Sequence, residues 1–277
     1  MILNRVLSVC RVFDLILCSP IMNNAFTPPH HASDFYPSLL LGHALNKTTF
    51  GETNWPVIIL SYRRIADVRL NPWTLSTQVF KKQICWLKNN FDLISLSEAQ
   101  RRMANGINKK LAVCITFDYG YSVNCDFALP LMLRERVPCT YFVVPQNIFE
   151  SAPFEHDMQH GQPLEPNSIE ELCALTDTCI TIGAHSQEAT ELNRVSAAKT
   201  LYNEVVTTTE DLRTKLDTDV RFFAIPFGKR GQLNVHAFYL ARDAGLDGVC
   251  STYGGYNRPG DSTFHLRRIR AASEMLP

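Results

Sequence analysis

Short apolar runs recur along the chain from residue 55 onward, and each has about the length of a buried β-strand. Helical patterns separate these runs; within residues 77–90, for example, Phe80, Ile84 and Leu87 recur at the spacing of one helix face. The predicted strands are residues 57–62, 112–117, 139–144, 179–184, 220–226 and, more weakly, 247–252 and 264–269; the predicted helices are residues 77–90, 126–136, 194–216 and 232–244. This alternation indicates an α/β protein with a parallel sheet or barrel, buried on both faces.

Residues 1–54 lack this pattern. They carry turn-forming residues and no sustained periodicity, so we expect a partly irregular N-terminal extension with one short helix, followed by a single domain over residues 55–277. Residues 1–22 are apolar but interrupted by Arg5, Arg11 and Asp14, which disfavours both a membrane-spanning helix and a signal peptide. The sequence therefore predicts a cytoplasmic protein without a transmembrane segment.

The charge balance excludes one class of function. Lys and Arg together number 27, as do Asp and Glu, so no net positive field attracts nucleic acid. The arginine pairs Arg63-Arg64 and Arg267-Arg268 are therefore expected to be solvated or ion-paired. The nine cysteines are odd in number, scattered and free of any C-x-x-C spacing, which favours reduced thiols over a disulfide framework.

Residues capable of chemistry follow three of the predicted strands. Asp118 follows residues 112–117, His185 follows residues 179–184, and Phe227 lies in the Pro-Phe-Gly turn after the fifth run. Each one alone could be structural, Asp118 as a turn residue and His185 as a hydrogen-bonded residue at a strand end. Because the carboxyl ends of parallel strands meet at one edge, we expect Asp118, His185 and Phe227 to face a common cleft.

Two motifs at these strand ends resemble those of the polysaccharide deacetylases, the NodB-type family. The family's T-F-D-D-G reads TFDYG at residues 116–120, and its H-S/T-x-x-H reads HSQEA at residues 185–189. FAIPFG at residues 223–228 is similar to the third motif of one branch, and the likeness continues in order over about residues 55–270. The resemblance implies a distorted, incomplete (β/α) barrel that removes N- or O-acetyl groups from acetylated polysaccharides or oligosaccharides, using a divalent metal, for which zinc is the expected ion.

The resemblance also assigns roles to single residues. It makes Asp118 the general base, His185 a metal ligand, and the backbone N–H of Phe227 a donor to the developing oxyanion. The family's other two ligands, an Asp and a His, are replaced by Tyr119 and Ala189. Alanine has no donor atom, and a tyrosine with a pKa near 10 stays protonated. We therefore expect zinc to be weakly bound or absent and deacetylation to be impaired; the alternative is a catalytically inactive pseudoenzyme that binds glycan.

Three further positions depart from the family pattern. Arg63 replaces the histidine that usually follows the first strand's tyrosine, and Ala224 stands where many members carry an arginine that orients the base. The histidine of the late L-x-H motif, the family's usual general acid, is missing in that order, and His265 stands nearby.

Other side chains are candidates for accessory roles. Trp73, Tyr253 and Tyr256 are candidate substrate-binding residues that would stack on sugar rings, with burial in the core as the alternative. The acidic and histidine residues that could reach a displaced metal, although solvated loop positions are favoured for them, are Glu188, Glu191, His156 and Asp157.

Overall fold

The computed structural model describes residues 52–253 and 255–273. The predicted N-terminal extension lies outside the described residues except for its last three positions, and so do Cys10 and Cys18. The seven cysteines in the described part of the chain are all free thiols, as expected. Within that same part, no helix combines the length and apolar character needed to cross a membrane.

Parallel strands dominate the fold. In chain order they are β1 (Val57–Tyr62), β2 (Arg64–Ile65), β3 (Thr74–Leu75), β4 (Asp92–Leu93), β5 (Ala112–Phe117), β6 (Cys139–Val143), β7 (Ile180–Ala184), β8 (Phe222–Ala224), β9 (Gly248–Ser251), β10 (His265–Arg267) and β11 (Ile269–Arg270). Strands β2 and β3 form a small parallel ribbon, and the others form one parallel sheet. Its order is β10-β9-β8-β7-β6-β5-β1-β11, with β4 paired to β5.

The two edges of this sheet are joined by a single residue. Strand β10 forms one edge beside β9, and β11 forms the other edge beside β1, yet only Arg268 separates them in sequence. The backbone N–H of Arg268 donates to Ser251 of β9, while that of Ala271 donates to Ser61 of β1. The sheet is therefore nearly closed into a barrel, which confirms the predicted fold class.

Helices surround the barrel. They are α1 (Thr77–Asn90), α2 (Leu96–Ala104), α3 (Ala128–Glu135), α4 (Pro145–Glu150), α5 (Glu155–Gln159), α6 (Ile169–Cys173), α7 (Ala198–Tyr202), α8 (Thr208–Leu216) and α9 (Val235–Asp243), with a π-helical turn at Asn203–Thr207 between α7 and α8. Helix α1 begins at the Ser76 cap and buries Phe80, Ile84 and Leu87, as its periodicity predicts.

Two apolar layers result. The larger one lies between the strands and the helices, and a smaller one fills the barrel interior with residues such as Ile59, Cys114 and Phe142. Helix α2 contributes Leu96, Ala99 and Met103 to the interior layer, and Gln100 donates to the carbonyl oxygens that precede β9 and β10. Helix α2 therefore closes the amino end of the barrel and leaves the carboxyl end for the site.

Candidate active site

Asp118 forms a buried ion pair with Arg268. Nη1 and Nη2 of Arg268 donate to the two carboxylate oxygens at 2.6 and 3.1 Å, and Ser61 Oγ donates to the carboxylate at 2.8 Å. Both side chains are almost fully buried. Burial raises the pKa of the Asp118 carboxyl, but the Arg268 charge outweighs it and the net direction is downward. Asp118 is therefore held as a carboxylate.

Arg268 supplies the contact that Ala224 cannot. Its guanidinium lies over the Phe142 ring, 5.2 Å from the centroid, at the carboxyl end of the barrel interior. It thereby fixes the orientation of Asp118 from the closing segment of the barrel rather than from the third motif. Nothing in the sequence assigns this role to Arg268, although an ion pair is among the expectations for Arg267-Arg268.

His185 lies at the end of β7 as a buried, neutral imidazole. Its Nδ1 is 2.9 Å from the carbonyl oxygen of Ala224, and because that oxygen only accepts, Nδ1 carries the hydrogen and Nε2 is left unprotonated. Desolvation lowers the pKa of His185 to about 4, although the Asp118 carboxylate acts in the opposite direction. The ring therefore presents one free nitrogen lone pair.

Tyr119 lies among aromatic rings next to His185. Its ring centroid is 5.0 Å from that of His185 and 4.6 Å from that of His156. We call Tyr119, Tyr121, Phe154 and His156 the aromatic cluster; neighbouring rings in it lie between 4.6 and 6.1 Å apart. Burial raises the pKa of the Tyr119 phenol, so this side chain is no anionic ligand at neutral pH.

The backbone at Tyr119 is also unusual. Tyr119 has φ 80° and Gly120 has φ 89°, so a bulky residue occupies the left-handed region beside a glycine. A Cβ at Gly120 would lie 3.0 Å from Val143, which explains the glycine. This turn directs the Tyr119 ring into the aromatic cluster, and only 2% of the residue is exposed to solvent.

Ala189 lies beside the same cluster and offers only a methyl group. The loop that carries it is held from behind by Glu204 in the π-helical turn, whose carboxylate accepts the backbone N–H groups of Gln187 and Glu188 at 2.9 and 3.4 Å. Burial raises the pKa of Glu204. The loop is thus anchored in a shape that brings Ala189, rather than a donor atom, to the site.

A cleft of about 400 Å³ opens next to these loops. Its walls include Tyr119, Phe154, His156, Glu188, Ala189 and Phe227. Phe227 is 45% exposed and has φ 59° in the Pro-Phe-Gly turn. Asp118 and His185 do not line this cleft, because they lie deeper in the barrel end. Of the three residues expected to share a cleft, the structure places Phe227 in its wall and the other two in the interior.

The donor atoms present do not fit a catalytic divalent metal. His185 Nε2 is available, but Asp118 is occupied by Arg268, Tyr119 is a buried phenol and Ala189 has no donor. Among the residues that the structure describes, no three His, Cys, Asp or Glu side chains are grouped closely enough to hold an ion. A catalytic zinc normally keeps three protein ligands.

The four side chains considered as compensating ligands are mostly engaged elsewhere. Asp157 pairs with Arg64 at 2.7 Å, and His156 Nε2 lies 2.9 Å from the Tyr121 hydroxyl. Glu191 pairs with Arg194, while Glu188 is exposed in the cleft wall.

The candidate sugar-stacking residues lie in two places. Trp73 is half-buried beside the aromatic cluster, with His156 and His160 packed edge-on against it at 5.2 and 4.6 Å. Tyr253 is 39% exposed and near Arg230, whereas Tyr256 packs partly against the main core. His265 hydrogen-bonds through Nε2 to Ser251 Oγ at 2.7 Å.

A known protein family and several solved structures resemble this chain. The family profile of the polysaccharide deacetylases matches residues 105–249. No curated protein matches the chain. The chain is similar in structure to IcaB from Ammonifex degensii, with a TM-score of 0.66 and 19% identity over 78% of this chain and 92% of that one.

Two further solved structures share the fold. One is the Streptococcus pyogenes deacetylase PplD in complex with acetate, at a TM-score of 0.66 and 15% identity, covering 80% of this chain and 93% of that one. The other is a de-N-acetylase from Aggregatibacter actinomycetemcomitans, at a TM-score of 0.64 and 16% identity, covering 79% of this chain and 95% of that one.

Proposed function

Because this chain belongs to the polysaccharide deacetylase family, we propose that it binds acetylated polysaccharide or oligosaccharide at the carboxyl end of its barrel while its metal-dependent hydrolysis is impaired. The family function is removal of acetyl groups from such carbohydrates, and the fold that supports it is present from β1 to β11.

The observation that carries the proposal is the environment of Tyr119. This residue stands at the family's second Asp, and its ring is packed between His185, His156 and Phe154 as a protonated phenol. A carboxylate at this position would bring a negative charge to a metal; the tyrosine brings an apolar ring. Loss of two ligands from a set of three leaves no adequate coordination shell for zinc.

The remaining site residues keep a weakened base and candidate contacts to the saccharide. Asp118 would act as the general base, but the Arg268 charge that lowers the pKa of its carboxyl also makes it a weaker base. The backbone N–H of Phe227, at the cleft wall, is the candidate donor to an acetyl oxygen. Trp73, Tyr253 and Tyr256 are the candidate stacking residues for sugar rings.

The proposal is tested by restoring the missing ligands. Tyr119→Asp together with Ala189→His should bind zinc and release acetate from tetraacetylchitotetraose or acetylated xylan, whereas wild type and each single variant should not exceed the level measured with a chelator. Asp tolerates the left-handed backbone at position 119 better than Tyr does. The gain should be non-additive, because ligands act as a unit.

A third change separates base from ligand. Asp118→Asn in the double variant should abolish acetate release and leave zinc affinity intact, because Asp118 is assigned as a base. Chelator-sensitive acetate release by the wild-type chain would contradict the proposed impairment. A double variant that binds zinc tightly yet releases no acetate would move the fault to Arg63, Ala224 or the missing general acid. Wild type that binds the saccharide without hydrolysing it matches the pseudoenzyme alternative.

A further inference from the structure

Arginines outnumber aspartates among the groups whose charges act on Tyr119 and its neighbours. These groups are the guanidinium groups of Arg63, Arg64, Arg268 and Arg270 and the carboxylates of Asp118 and Asp157; the cleft that Tyr119 lines also carries Glu150, Glu155 and Glu188. Asp118 pairs with Arg268 at 2.6 Å, and Asp157 pairs with Arg64 at 2.7 Å. Two arginines, Arg63 and Arg270, are left without a carboxylate partner among residues 52–253 and 255–273.

Arg63 is fixed in place by aromatic rings rather than by hydrogen bonds. Its guanidinium lies 4.6 Å from the Tyr119 ring centroid and 5.4 Å from that of Trp73. Stacking of this kind holds the guanidinium plane but leaves its N–H groups at the edge free to bind an oxyanion bidentately. The side chain is half-buried and therefore already partly desolvated.

Arg270 lies close to Arg63 on the neighbouring strand. It is the register partner of Ser61, two residues before Arg63, and its Nη2 donates to the carbonyl oxygen of Pro72, next to Trp73. Desolvation lowers the pKa of the Arg270 guanidinium, and the like charge of Arg63 lowers it further. Two cations held together in this way are stabilised by an anion that bridges them.

We infer that Arg63 and Arg270 bind an anionic group of a saccharide, a uronic acid carboxylate or a sulfate ester. The inference rests on the proposed saccharide-binding function and adds the substrate class. Arg63 stands beside Tyr119, the residue at a lost ligand position.

The test is calorimetric titration with three probes: tetragalacturonic acid, neutral tetraacetylchitotetraose and sodium sulfate. The variants are Arg63→Gln and Arg270→Gln, with Arg101→Gln as the matched control on α2 at the opposite end of the barrel. We expect wild type to bind tetragalacturonic acid about tenfold more tightly than the neutral tetramer, and each site variant to lose about tenfold, the scale of one charge-assisted hydrogen bond. The control should match wild type, and added salt should weaken binding.

Other outcomes would overturn the inference. If the neutral tetramer binds and tetragalacturonic acid binds no better, the anionic preference is wrong while saccharide binding stands. If neither saccharide binds, the proposed function fails with it. If sodium sulfate displaces tetragalacturonic acid at an equal concentration, the two arginines form an anion site that does not recognise the saccharide. Arg270 is partly buried but more exposed than Arg63, so Arg270→Gln gives a readout even if Arg63→Gln unfolds.

Discussion

The buried pair of Asp118 and Arg268 is a costly arrangement that depends on both partners. Two side chains that are nearly inaccessible to water share two hydrogen bonds, and Ser61 adds a third to the carboxylate. Removing one member of such a pair leaves an uncompensated buried charge. The same contact that fixes Asp118 therefore also contributes to the stability of the barrel end.

Arg268→Gln should reduce the free energy of unfolding by about 3–5 kcal/mol, the range for breaking one partner of a buried ion pair. The measurement is urea unfolding at neutral pH. Arg101→Gln, which removes an exposed ion pair with Glu98, is the control and should leave the midpoint near that of wild type. A variant at position 268 as stable as wild type would show that the pair does not hold the barrel end.

Two neutral histidines, the buried His185 and the half-buried His156, make the stability depend on pH. Desolvation lowers the pKa of His185 to about 4 and that of His156 to about 3, both below the ordinary value of 6.5. On acidification the unfolded chain binds protons first, so the stability contributed by these two neutral histidines is complete above about pH 6.5 and falls as the pH decreases toward 4. Protonation of the Asp118 carboxyl, whose pKa is also lowered, removes further stability at lower pH.

His185→Asn should make this pH dependence shallower. The Asn amide can still donate to the carbonyl oxygen of Ala224 but does not titrate. In wild type, acidification from pH 6.5 to pH 4 should remove at most about 3 kcal/mol of unfolding free energy through His185, and the variant should lack this loss. Urea midpoints measured at several values across that interval provide the comparison. An unchanged slope in the variant would mean that folding does not shift the pKa of His185.

Single residues of the site were only partly predictable from sequence. The motifs lead to Asp118, His185, Tyr119 and Ala189 because each follows a recognisable strand. Arg268 could not be singled out, since arginine is rarely buried and nothing local distinguishes it from Arg267. Its role depends on a contact with Asp118, 150 positions away in sequence.

At the level of elements, the strands were predicted well where the apolar run is continuous. Strands β1 and β5 match the predicted bounds, whereas residues 220–226 narrow to β8 because Ile225 and Pro226 already turn toward Phe227. The helix predicted at residues 194–216 is divided by the π-helical turn that holds Glu204. Helix α2 was missed, although the Ser95 cap precedes it.

At Gly183 in strand β7, neighbouring atoms leave no room for a side chain. A Cβ at Gly183 of β7 would lie 2.4 Å from the Phe142 ring and 3.1 Å from the carbonyl oxygen of Phe222. Gly183→Ala should therefore destabilise the fold by about 1–3 kcal/mol through overpacking, measured by urea unfolding.

Gly231→Ala is the control for this substitution. Nothing lies within 4 Å of a Cβ at Gly231, and its backbone is not in the left-handed region. Its stability should stay within about 0.5 kcal/mol of wild type. Equal stability of both variants would indicate that Phe142 can move aside.

At the scale of the whole molecule, closure of the barrel is what brings the site together. Periodicity predicts parallel strands with crossovers, but it does not say that β10 and β11 lie at opposite edges with Arg268 between them. That arrangement follows from pairing between segments about 200 residues apart, such as Leu60 with Ile269. The order of the family motifs, rather than local pattern, predicts the barrel.

We propose that the barrel end holds no catalytic metal, and calorimetric titration of the wild-type chain with zinc can decide this. With His185 as the remaining family ligand, we expect a dissociation constant above about 1 µM and no zinc retained through dialysis. A stoichiometric zinc ion that survives dialysis, with a dissociation constant below micromolar, would refute this proposal and show that other side chains complete the coordination shell.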